Sequence, residues 1–576
     1  MTFSNTVLGL LLCAAPNVGL AEQPSQAPQA EAPKTVLELQ QFRVTQRSPA
    51  VDASGRSGQA TLINLNPEIN AWFLVTVDFG KNPETYHLEN PWPRTQQVAL
   101  SGQNPQGVEI TAEGHTDHCD LWGGSPVTEL RNAQHQAGAY EPLCGGRLYL
   151  RNQVAGTYTP IERATDLLRD HIPGGDRIVG FVKREFFQDA FLEKEPLVNA
   201  VDAGLPSPDN SPLRPAIDST YQGRAVTPEH LEIALERRAG PMELGRWYAA
   251  KGAPGIFVSA FEAALVPQEI LESSRGLVNP LGPVEARALV FVVAFDLSVF
   301  DLGFTLGTDH PRVGWSERTL PESRTKLPGP DGIDTVAPLA RTGMVSPAQA
   351  AQTVAAFTGG FKRVHGAFHV GPYARRNHGS HYGFIEQGVV LSKLVPGLAT
   401  LIVFRDGNVE MRTWSKEDDA LLPKIRHARQ NGLPLLEPDR MTGAPVPGEF
   451  LRHWAAGNWS GSAENAELRT LRAGACLQQV QSNRFLLYGY FSDATPSAMA
   501  RVFQAYRCSY AMHLDMNALE HTYLALYERR DGKVIVEHLI DEMGQVDKKG
   551  RGRKGALLPR FLGFPDDRDF FYFVRR

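Results

Sequence analysis

The stretch Tyr510-Ala-Met-His-Leu-Asp-Met-Asn517 decides the predicted fold, because an apolar run ends there in a carboxylate and an amide. A helix is predicted just before it, opened by Thr495 as N-cap with proline at the first helical position. Residues 485–491, before that helix, are strand-like. The order strand, helix, strand places Asp515 and Asn517 at the carboxyl end of a buried strand, where polar side chains can converge on a ligand. A buried aspartate that caps a loop fits the same residues.

Length and charge narrow the class of protein. A chain of 576 residues exceeds what one core usually supports, so several domains are predicted. The net charge of -5 is small for this length and gives no electrostatic case for a nucleic-acid partner.

The amino terminus is predicted to be a cleaved secretory signal over residues 1–21, which contain no charged side chain. Its apolar stretch is too short to span a bilayer, and no other run resembles a transmembrane helix. Because Cys13 lies in this segment, a lipoprotein signal is an alternative interpretation. Residues 22–50 are predicted to be a flexible linker, and the mature protein is predicted to be periplasmic or secreted.

Four cysteines remain after removal of the signal, an even number in an oxidising compartment. Two disulfides are predicted, Cys119 with Cys144 and Cys476 with Cys508, each closing a short loop. Four buried thiols are the alternative.

Composition shifts divide the remaining chain into three parts. Residues 51–200 are predicted to form an amino-terminal, mainly β domain of unknown role, with strand-like runs between turn-rich segments. Residues 201–285 are predicted to be a bridging region whose helix starts at Pro228. Residues 286–576 are predicted to form one α+β domain.

Three motifs in that last part carry a family resemblance. They are Thr358-Gly-Gly-Phe361, the segment Leu468-Arg-Thr-Leu-Arg-Ala-Gly474, and Leu514-Asp-Met-Asn517 after the helix. In this order they resemble the phosphodiester glycosidase domain family, which includes the lysosomal-enzyme uncovering enzyme and secreted bacterial relatives. The resemblance covers roughly residues 295–530 and implies a carboxyl-terminal domain with a mixed sheet. The family's Asn-Gly-Gly-Phe has lost its amide here, and the glycines after the aspartate are also lost.

The resemblance implies roles for several residues. Asp515 would act as base or nucleophile, with His513 and Asn517 orienting the substrate. Gly359 and Gly360 would let backbone N–H groups approach the ligand closely. Arg472, or Arg469 in the same motif, would clamp a phosphate, although Arg472 could instead neutralise Asp515.

A basic, histidine-rich stretch follows the paired glycines. Its residues are predicted to bind an anionic, sugar-like substrate: His365, His369, Arg375, His378 and His381. The four histidines could alternatively ligate a metal, but none of them lies on a confidently predicted helix and no Asp, Glu or Cys is close by. We therefore predict no metal and no cofactor.

Together these features predict a secreted or periplasmic hydrolase that cleaves a sugar-phosphodiester or related glycosidic bond. Its predicted partner is a carbohydrate or sugar-phosphate ligand, with no nucleic acid and no membrane span after signal removal. Two alternatives stay open. The first is a non-catalytic envelope-glycan-binding protein on the same fold, and the second is a metal-dependent hydrolase that uses the histidine cluster.

Overall fold

A computed structural model describes residues 35–80, 82–124, 128–157, 189–200, 214–236, 240–363, 367–368, 371–376, 378–453, 469–549 and 558–576. The predicted signal over residues 1–21 lies outside the described residues. Within the predicted linker, residues 36–50 instead form a 3-10 helix, Val36–Leu39, and most of the first strand. Pro33–Arg576 forms one compact unit.

The amino-terminal part alternates apolar and polar residues along short strands, as half-buried antiparallel strands do. Its elements are β1 (Val44–Val51), β2 (Ser57–Asn64), β3 (Trp72–Asp78), β4 (Glu84–Glu89), β5 (Gln96–Ala99), β6 (Gly107–Ala112), β7 (His115–Asp120), α1 (Glu129–Gln136), β8 (Tyr140–Leu143) and β9 (Leu148–Arg151). They form a six-stranded sheet in the order β1-β2-β3-β4-β9-β8 and a three-stranded sheet, β5-β6-β7.

The middle of the chain contains mostly short strands. Its elements are β10 (Val198–Asn199), β11 (Arg224–Val226), β12 (Met242–Glu243), β13 (Tyr248–Ala249), β14 (Ile256–Glu262), α2 (Gln268–Glu272), β15 (Leu289–Asp296) and β16 (Phe300–Thr305). The helix predicted from Pro228 is wrong over the described residues 228–236. Leu231 and Leu235 make isolated β-bridges to Ile540 and Ala250, so contacts distant in sequence override the local helical pattern.

The carboxyl-terminal part supplies the remaining elements. They are α3 (Pro347–Ala350), β17 (Thr353–Thr358), α4 (Gly371–Arg376), β18 (Phe384–Glu386), β19 (Val389–Ser392), β20 (Ala399–Phe404), β21 (Val409–Thr413), β22 (Ile425–Gln430), β23 (Pro434–Pro438), β24 (Pro445–Pro447), β25 (Thr470–Val480), β26 (Asn483–Ala494), α5 (Pro496–Ala505), β27 (Tyr510–Met516), β28 (Leu524–Arg530), β29 (Lys533–His538) and β30 (Phe570–Arg575).

Short 3-10 helices connect these elements. Besides Val36–Leu39 they are Cys144–Gly146, Ser219–Tyr221, Ala263–Leu265, Glu285–Arg287, Pro321–Ser323, Glu417–Lys424, Leu451–His453, Asp541–Gln545 and Asp547–Lys549. No helix of the described residues is long and apolar enough to cross a membrane.

Four further sheets complete the described structure. Their strand orders are β10-β11-β12, β13-β14-β15-β26-β25-β27-β23-β24, β16-β30-β17-β28-β29 and β19-β18-β22-β20-β21. Neighbouring strands pair antiparallel throughout these described sheets, for example β25 with both β26 and β27. The chain is thus mostly β with few, short helices, and the expected mixed sheet is wrong. Hairpin-like connections favour antiparallel pairing, since parallel neighbours need long crossovers.

The unit β26-α5-β27 confirms the predicted order of strand, helix and strand. The Thr495 side chain accepts a hydrogen bond from Ala498 N at 3.2 Å, and Pro496 opens α5. Both strands lie antiparallel to β25, which separates them in the sheet. This arrangement places Asp515 near the carboxyl end of a strand in the middle of the largest sheet.

Both predicted disulfide pairings are confirmed. Cys119 bonds to Cys144 and Cys476 to Cys508, with Cα–Cα distances of 5.7 and 5.9 Å. The first lies at the small amino-terminal core. The second joins β25 to the residue segment that leads into β27, inside the large core formed by the central sheets.

Candidate functional site

Four consecutive charged residues, Asp566 to Asp569, lie just before β30, and we call them the charged segment. All four are almost fully buried. Each binds a partner from a different part of the chain. The partners are Arg560 for Asp566, Lys362 for Asp567, Asp515 for Arg568, and Arg429 with His310 for Asp569. Buried charges are stable only when paired, so this segment holds several elements together.

Asp515 is one of the groups held by this segment. Its side chain forms an ion pair with Arg568, and one of its oxygens accepts a hydrogen bond from the backbone N–H of Met516 at 2.9 Å. Arg568 also lies 2.6 Å from Nε2 of His521. Asp515 is only 5 % exposed. The carboxylate is therefore neutralised by Arg568 and not by Arg472.

Arg472 instead lies beside His513. Its Nη1 is 3.0 Å from His513 Nε2, and its Nε donates to the carbonyl of Ala494 at 2.8 Å. Nδ1 of His513 lies 2.5 Å from the carbonyl of Leu514 and donates to it, so Nε2 is the acceptor for the arginine. Burial and then Arg472 hold the pKa of His513 well below its ordinary value, while burial lowers the pKa of Arg472 to about 10.

Asn517 directly follows β27 and has a left-handed backbone, φ 78°. Its backbone N–H donates to Leu471 O at 2.9 Å, and its side-chain oxygen accepts from Thr470 at 3.0 Å. The three residues predicted to act together thus have different partners: Arg472 for His513, Arg568 for Asp515 and Thr470 for Asn517.

The paired glycines lie against the other end of the charged segment. A Cβ on Gly359 would lie 2.2 Å from a carboxylate oxygen of Asp569, and one on Gly360 would lie 2.7 Å from Asn431. The Gly359 N–H donates to Asp569 O at 2.8 Å. The glycines therefore allow close packing against protein groups. They are linked to Asp515 through the adjacent residues Arg568 and Asp569.

Asp569 contacts two basic side chains, Arg429 and His310. Burial opposes its charge, but Arg429 and His310 together hold the pKa of Asp569 below its ordinary value. Arg429 Nε lies 2.8 Å from one carboxylate oxygen and His310 Nδ1 lies 2.7 Å from the other. Burial keeps the pKa of His310 low.

The histidine-rich stretch spreads over separate places. His365 and His369 lie outside the described residues. Arg375 is exposed on α4. The His378 ring packs edge-on against Trp315 at 5.8 Å, whereas His381 is fully buried near Phe361. No group of three or more possible metal ligands occurs among the residues that the structure describes.

A cleft of about 850 Å³ opens near this region. Its walls come from the six-stranded sheet, from the loops 311–318 and 334–341, and from Arg363, the second residue after the Gly-Gly-Phe motif. Five arginines line it against two carboxylates: Arg151, Arg312, Arg318, Arg341, Arg363, Glu317 and Asp334. Asp515, Gly359 and Arg472 are not among its lining residues.

The floor and the rim of this cleft differ in accessibility. Arg151, Arg363 and His87 are buried in the floor, and each of the two arginines is paired with a carboxylate behind the wall, Glu89 and Asp331 respectively. On the rim, Arg312, Arg318 and Arg341 are partly exposed, and both carboxylates, Glu317 and Asp334, are exposed. Trp315 adds a partly exposed aromatic ring. The rim therefore places three partly exposed cationic side chains, of which Arg312 is paired with Asp309, around an aromatic ring.

Backbone contacts fix one wall of the cleft to the six-stranded sheet. The Ala340 N–H donates to Nδ1 of His87 at 3.0 Å, and the Arg341 N–H donates to the Gln153 side chain at 3.1 Å. Burial and then the charge of Arg151 keep the pKa of His87 well below its ordinary value. His87 is thus a neutral hydrogen-bond acceptor that holds the loop 334–341 in place.

Sequence reasoning missed both the charged segment and the cleft. Four consecutive charged residues directly before the aromatic strand Phe570–Arg575 were a usable signal, because charges beside such a strand need buried partners. The cleft had no such signal, since its residues come from six separate stretches of the chain.

Comparisons with known proteins do not identify a family for this chain. No family model matches the chain, and no curated protein matches it. Among solved structures, the zebrafish N-acetylglucosamine-1-phosphodiester alpha-N-acetylglucosaminidase catalytic domain, auto-inhibited by its pro-peptide, is similar with a TM-score of 0.29 and 10% identity, covering 64% of this chain and 95% of that chain. A hypothetical protein from Synechocystis is similar with a TM-score of 0.25 and 11% identity, covering 92% of this chain and 99% of that one. At these TM-scores neither likeness carries an argument.

Proposed function

We propose that this chain binds an anionic carbohydrate, a sugar that carries a phosphate or carboxylate, in the arginine-lined cleft. One observation carries the proposal: five arginines and a tryptophan line a single cleft of about 850 Å³ against two carboxylates. Arginine suits phosphate and carboxylate because its planar N–H groups can donate in pairs.

Several residues of the cleft would contact the ligand together. Arg318 and Arg341 would contact the anionic group, since both are partly exposed. Trp315 would pack against the apolar face of the sugar ring. The volume suits a ligand of one to a few sugar units, within the usual range for small-molecule sites.

The experiment is calorimetric titration with N-acetylglucosamine 1-phosphate and, separately, with uncharged N-acetylglucosamine. Binding of the phosphorylated sugar alone is expected, weakened about tenfold or more by Arg318→Ala and by Arg341→Ala. Arg275→Ala is the matched control, because Arg275 is exposed and outside the cleft. Equal binding of both sugars, or no effect of the cleft variants, contradicts the proposal.

Hydrolysis of a sugar-phosphodiester is the second candidate, and one observation favours it. Glu317 and Asp334 are exposed carboxylates that line the same cleft as the arginines. Glycoside hydrolysis commonly uses two carboxyl groups, and arginines can stabilise a departing phosphate. In this proposal the chemistry belongs to the cleft carboxylates, and Asp515, bound to Arg568, has a structural role.

Variants of the two cleft carboxylates separate binding from hydrolysis. With a sugar 1-phosphodiester of a chromogenic alcohol, Glu317→Gln or Asp334→Asn is expected to lower kcat about 100-fold or more while the ligand still binds. A wild-type protein that binds the sugar phosphate but releases no alcohol rejects hydrolysis and leaves the binding function.

A further inference from the structure

A second cavity, of about 570 Å³, shares no lining residue with the cleft. It is bounded by α4, the end of β21, the strand β23, the loop at residues 449–450 and the start of β27. We propose that this groove binds an uncharged sugar ring, independently of the anionic ligand in the cleft.

A chain of hydrogen bonds forms the base of this groove. The Thr413 hydroxyl donates to Glu437 Oε2 at 2.7 Å, and the Tyr510 hydroxyl lies 2.9 Å from Thr413 Oγ1. Because Thr413 has a single hydroxyl proton, Tyr510 must be the donor in the second bond. Tyr510 is only 2 % exposed, so the chain starts in the core and ends at a carboxylate in the cavity.

Glu437 has acceptor capacity left over. Its Oε2 accepts from Thr413, whereas its Oε1 makes no hydrogen bond to any residue in the described part of the chain. Glu437 is only partly buried. A carboxylate oxygen in such a position can accept hydrogen bonds from sugar hydroxyls, and the bond from Thr413 fixes its orientation beforehand.

An aromatic wall faces the groove. Tyr373 and Phe450 are both partly exposed, and their rings meet edge to face at 5.7 Å. Phe368 packs behind Tyr373 at 5.0 Å, and the Tyr373 hydroxyl donates to Gly397 O at 3.3 Å. The tyrosine ring is thus held at both its face and its tip, which makes it a rigid, amphipathic contact surface.

The aromatic wall and the carboxylate of Glu437 together indicate the class of ligand. The C–H face of a pyranose packs on an aromatic ring, while its hydroxyls donate to a carboxylate. Three basic residues line the groove. Arg412 is already paired with Glu410 and Asp418, whereas Lys416 and Arg440 are exposed. At the base of the groove an anionic group would meet the carboxylate of Glu437, so the proposal assigns an uncharged ring to this position.

The disulfide Cys476–Cys508 supports the base of the groove. Cys508 precedes Tyr510 by two residues, and Tyr510 pairs with Leu477, the neighbour of Cys476, in the register of β25 and β27. The covalent link therefore fixes the position of the Tyr510 hydroxyl relative to the central sheet.

The test is saturation-transfer NMR with a panel of neutral trisaccharides: maltotriose, cellotriose, mannotriose and chitotriose. At least one is expected to bind wild-type protein at up to about 10 mM, and Glu437→Gln, which keeps the side-chain shape, is expected to weaken that binding about tenfold or more. Tyr373→Ala should abolish it, and Arg275→Gln serves as the unaffected control. Thermal unfolding of each variant shows whether it folds.

Two results overturn the inference. The first is that no trisaccharide of the panel binds the wild-type protein, and the second is that Glu437→Gln binds as tightly as wild type. Titration of the same Glu437→Gln protein with N-acetylglucosamine 1-phosphate reports the other cavity, so a failure here is distinguishable from a failure of the proposed function.

Discussion

Asp515 and Arg568 form a buried ion pair that joins the end of β27 to the residue segment leading into β30. The two strands belong to different sheets, the eight-stranded and a five-stranded one. Thr358, at the end of β17, donates its hydroxyl to the carbonyl of His521, and His521 in turn contacts Arg568. The ion pair therefore lies at the junction of three strands, and loss of either partner leaves a buried charge.

Replacement of Asp515 by asparagine tests this structural role. We expect Asp515→Asn to lower the free energy of unfolding by about 3 to 5 kcal/mol, because the change removes the carboxylate of a buried ion pair. Urea denaturation at neutral pH measures the change. The matched control is Glu272→Gln, which removes an exposed ion pair with Arg275 and should cost less than about 1 kcal/mol.

A different outcome would restore Asp515 as a catalytic residue. That outcome is an Asp515→Asn protein as stable as wild type that has lost hydrolysis of a sugar 1-phosphodiester.

Addition of a methyl group at Gly359 tests the close packing of the paired glycines. The new Cβ would lie 2.2 Å from a carboxylate oxygen that Arg429 and His310 hold in place, so Gly359→Ala should destabilise the protein by about 1 to 3 kcal/mol. At Gly276 no atom lies within 4 Å of an added Cβ. The free energy of unfolding of Gly276→Ala should therefore lie within about 1 kcal/mol of the wild-type value. Equal stability of the two variants would argue against the packing described for Asp569.

Removal of either disulfide should destabilise the chain. The bonds close loops of 25 and 32 residues, and the double change Cys476→Ser with Cys508→Ser should cost about 3 kcal/mol in urea denaturation. Mass spectrometry after alkylation without reductant provides the direct check. Alkylation of Cys119, Cys144, Cys476 and Cys508 in the folded protein would show that the bonds are absent.

Glu262 should make stability depend on pH. Burial raises the pKa of Glu262 from its ordinary 4.5 to about 7, and Arg287 only partly opposes this. Between these two values the folded state keeps a proton that the unfolded state has released, so this group stabilises the fold at low pH. Its contribution is lost as pH rises toward 7, by up to about 3 kcal/mol.

The matching variant is Glu262→Gln, which cannot titrate. Its free energy of unfolding, measured from pH 4 to pH 8, should lack the decline that Glu262 causes in wild type. If the two proteins differ in their free energy of unfolding by the same amount from pH 4 to pH 8, Glu262 does not have the raised pKa.

Local signals in the sequence predict local structure well. The Thr495-Pro496 pair predicts the start of α5 because N-capping depends on a few neighbouring residues. The pairings of Cys119 and Cys476 also follow from spacing, since both loops are short. The strand that ends at Met516 likewise follows from its apolar run.

Local sequence patterns do not predict contacts between residues that are distant in the chain. Asp515 and Arg568 are 53 residues apart, and nothing near either one indicates the other. The segment after Pro228 has a helical pattern but forms β-bridges, and Glu232 there lies 2.7 Å from His538. The contact between Arg472 and His513 is of the same kind, because no local pattern around either residue indicates the other.

The central claim is that an anionic sugar binds in the arginine-lined cleft, and a crystal structure with N-acetylglucosamine 1-phosphate tests it most directly. The expected result is a phosphate within hydrogen-bonding distance, about 3 Å, of Arg318 or Arg341, with the sugar ring against Trp315. A ligand bound at Asp515, or an empty cleft at saturating ligand, would contradict the claim.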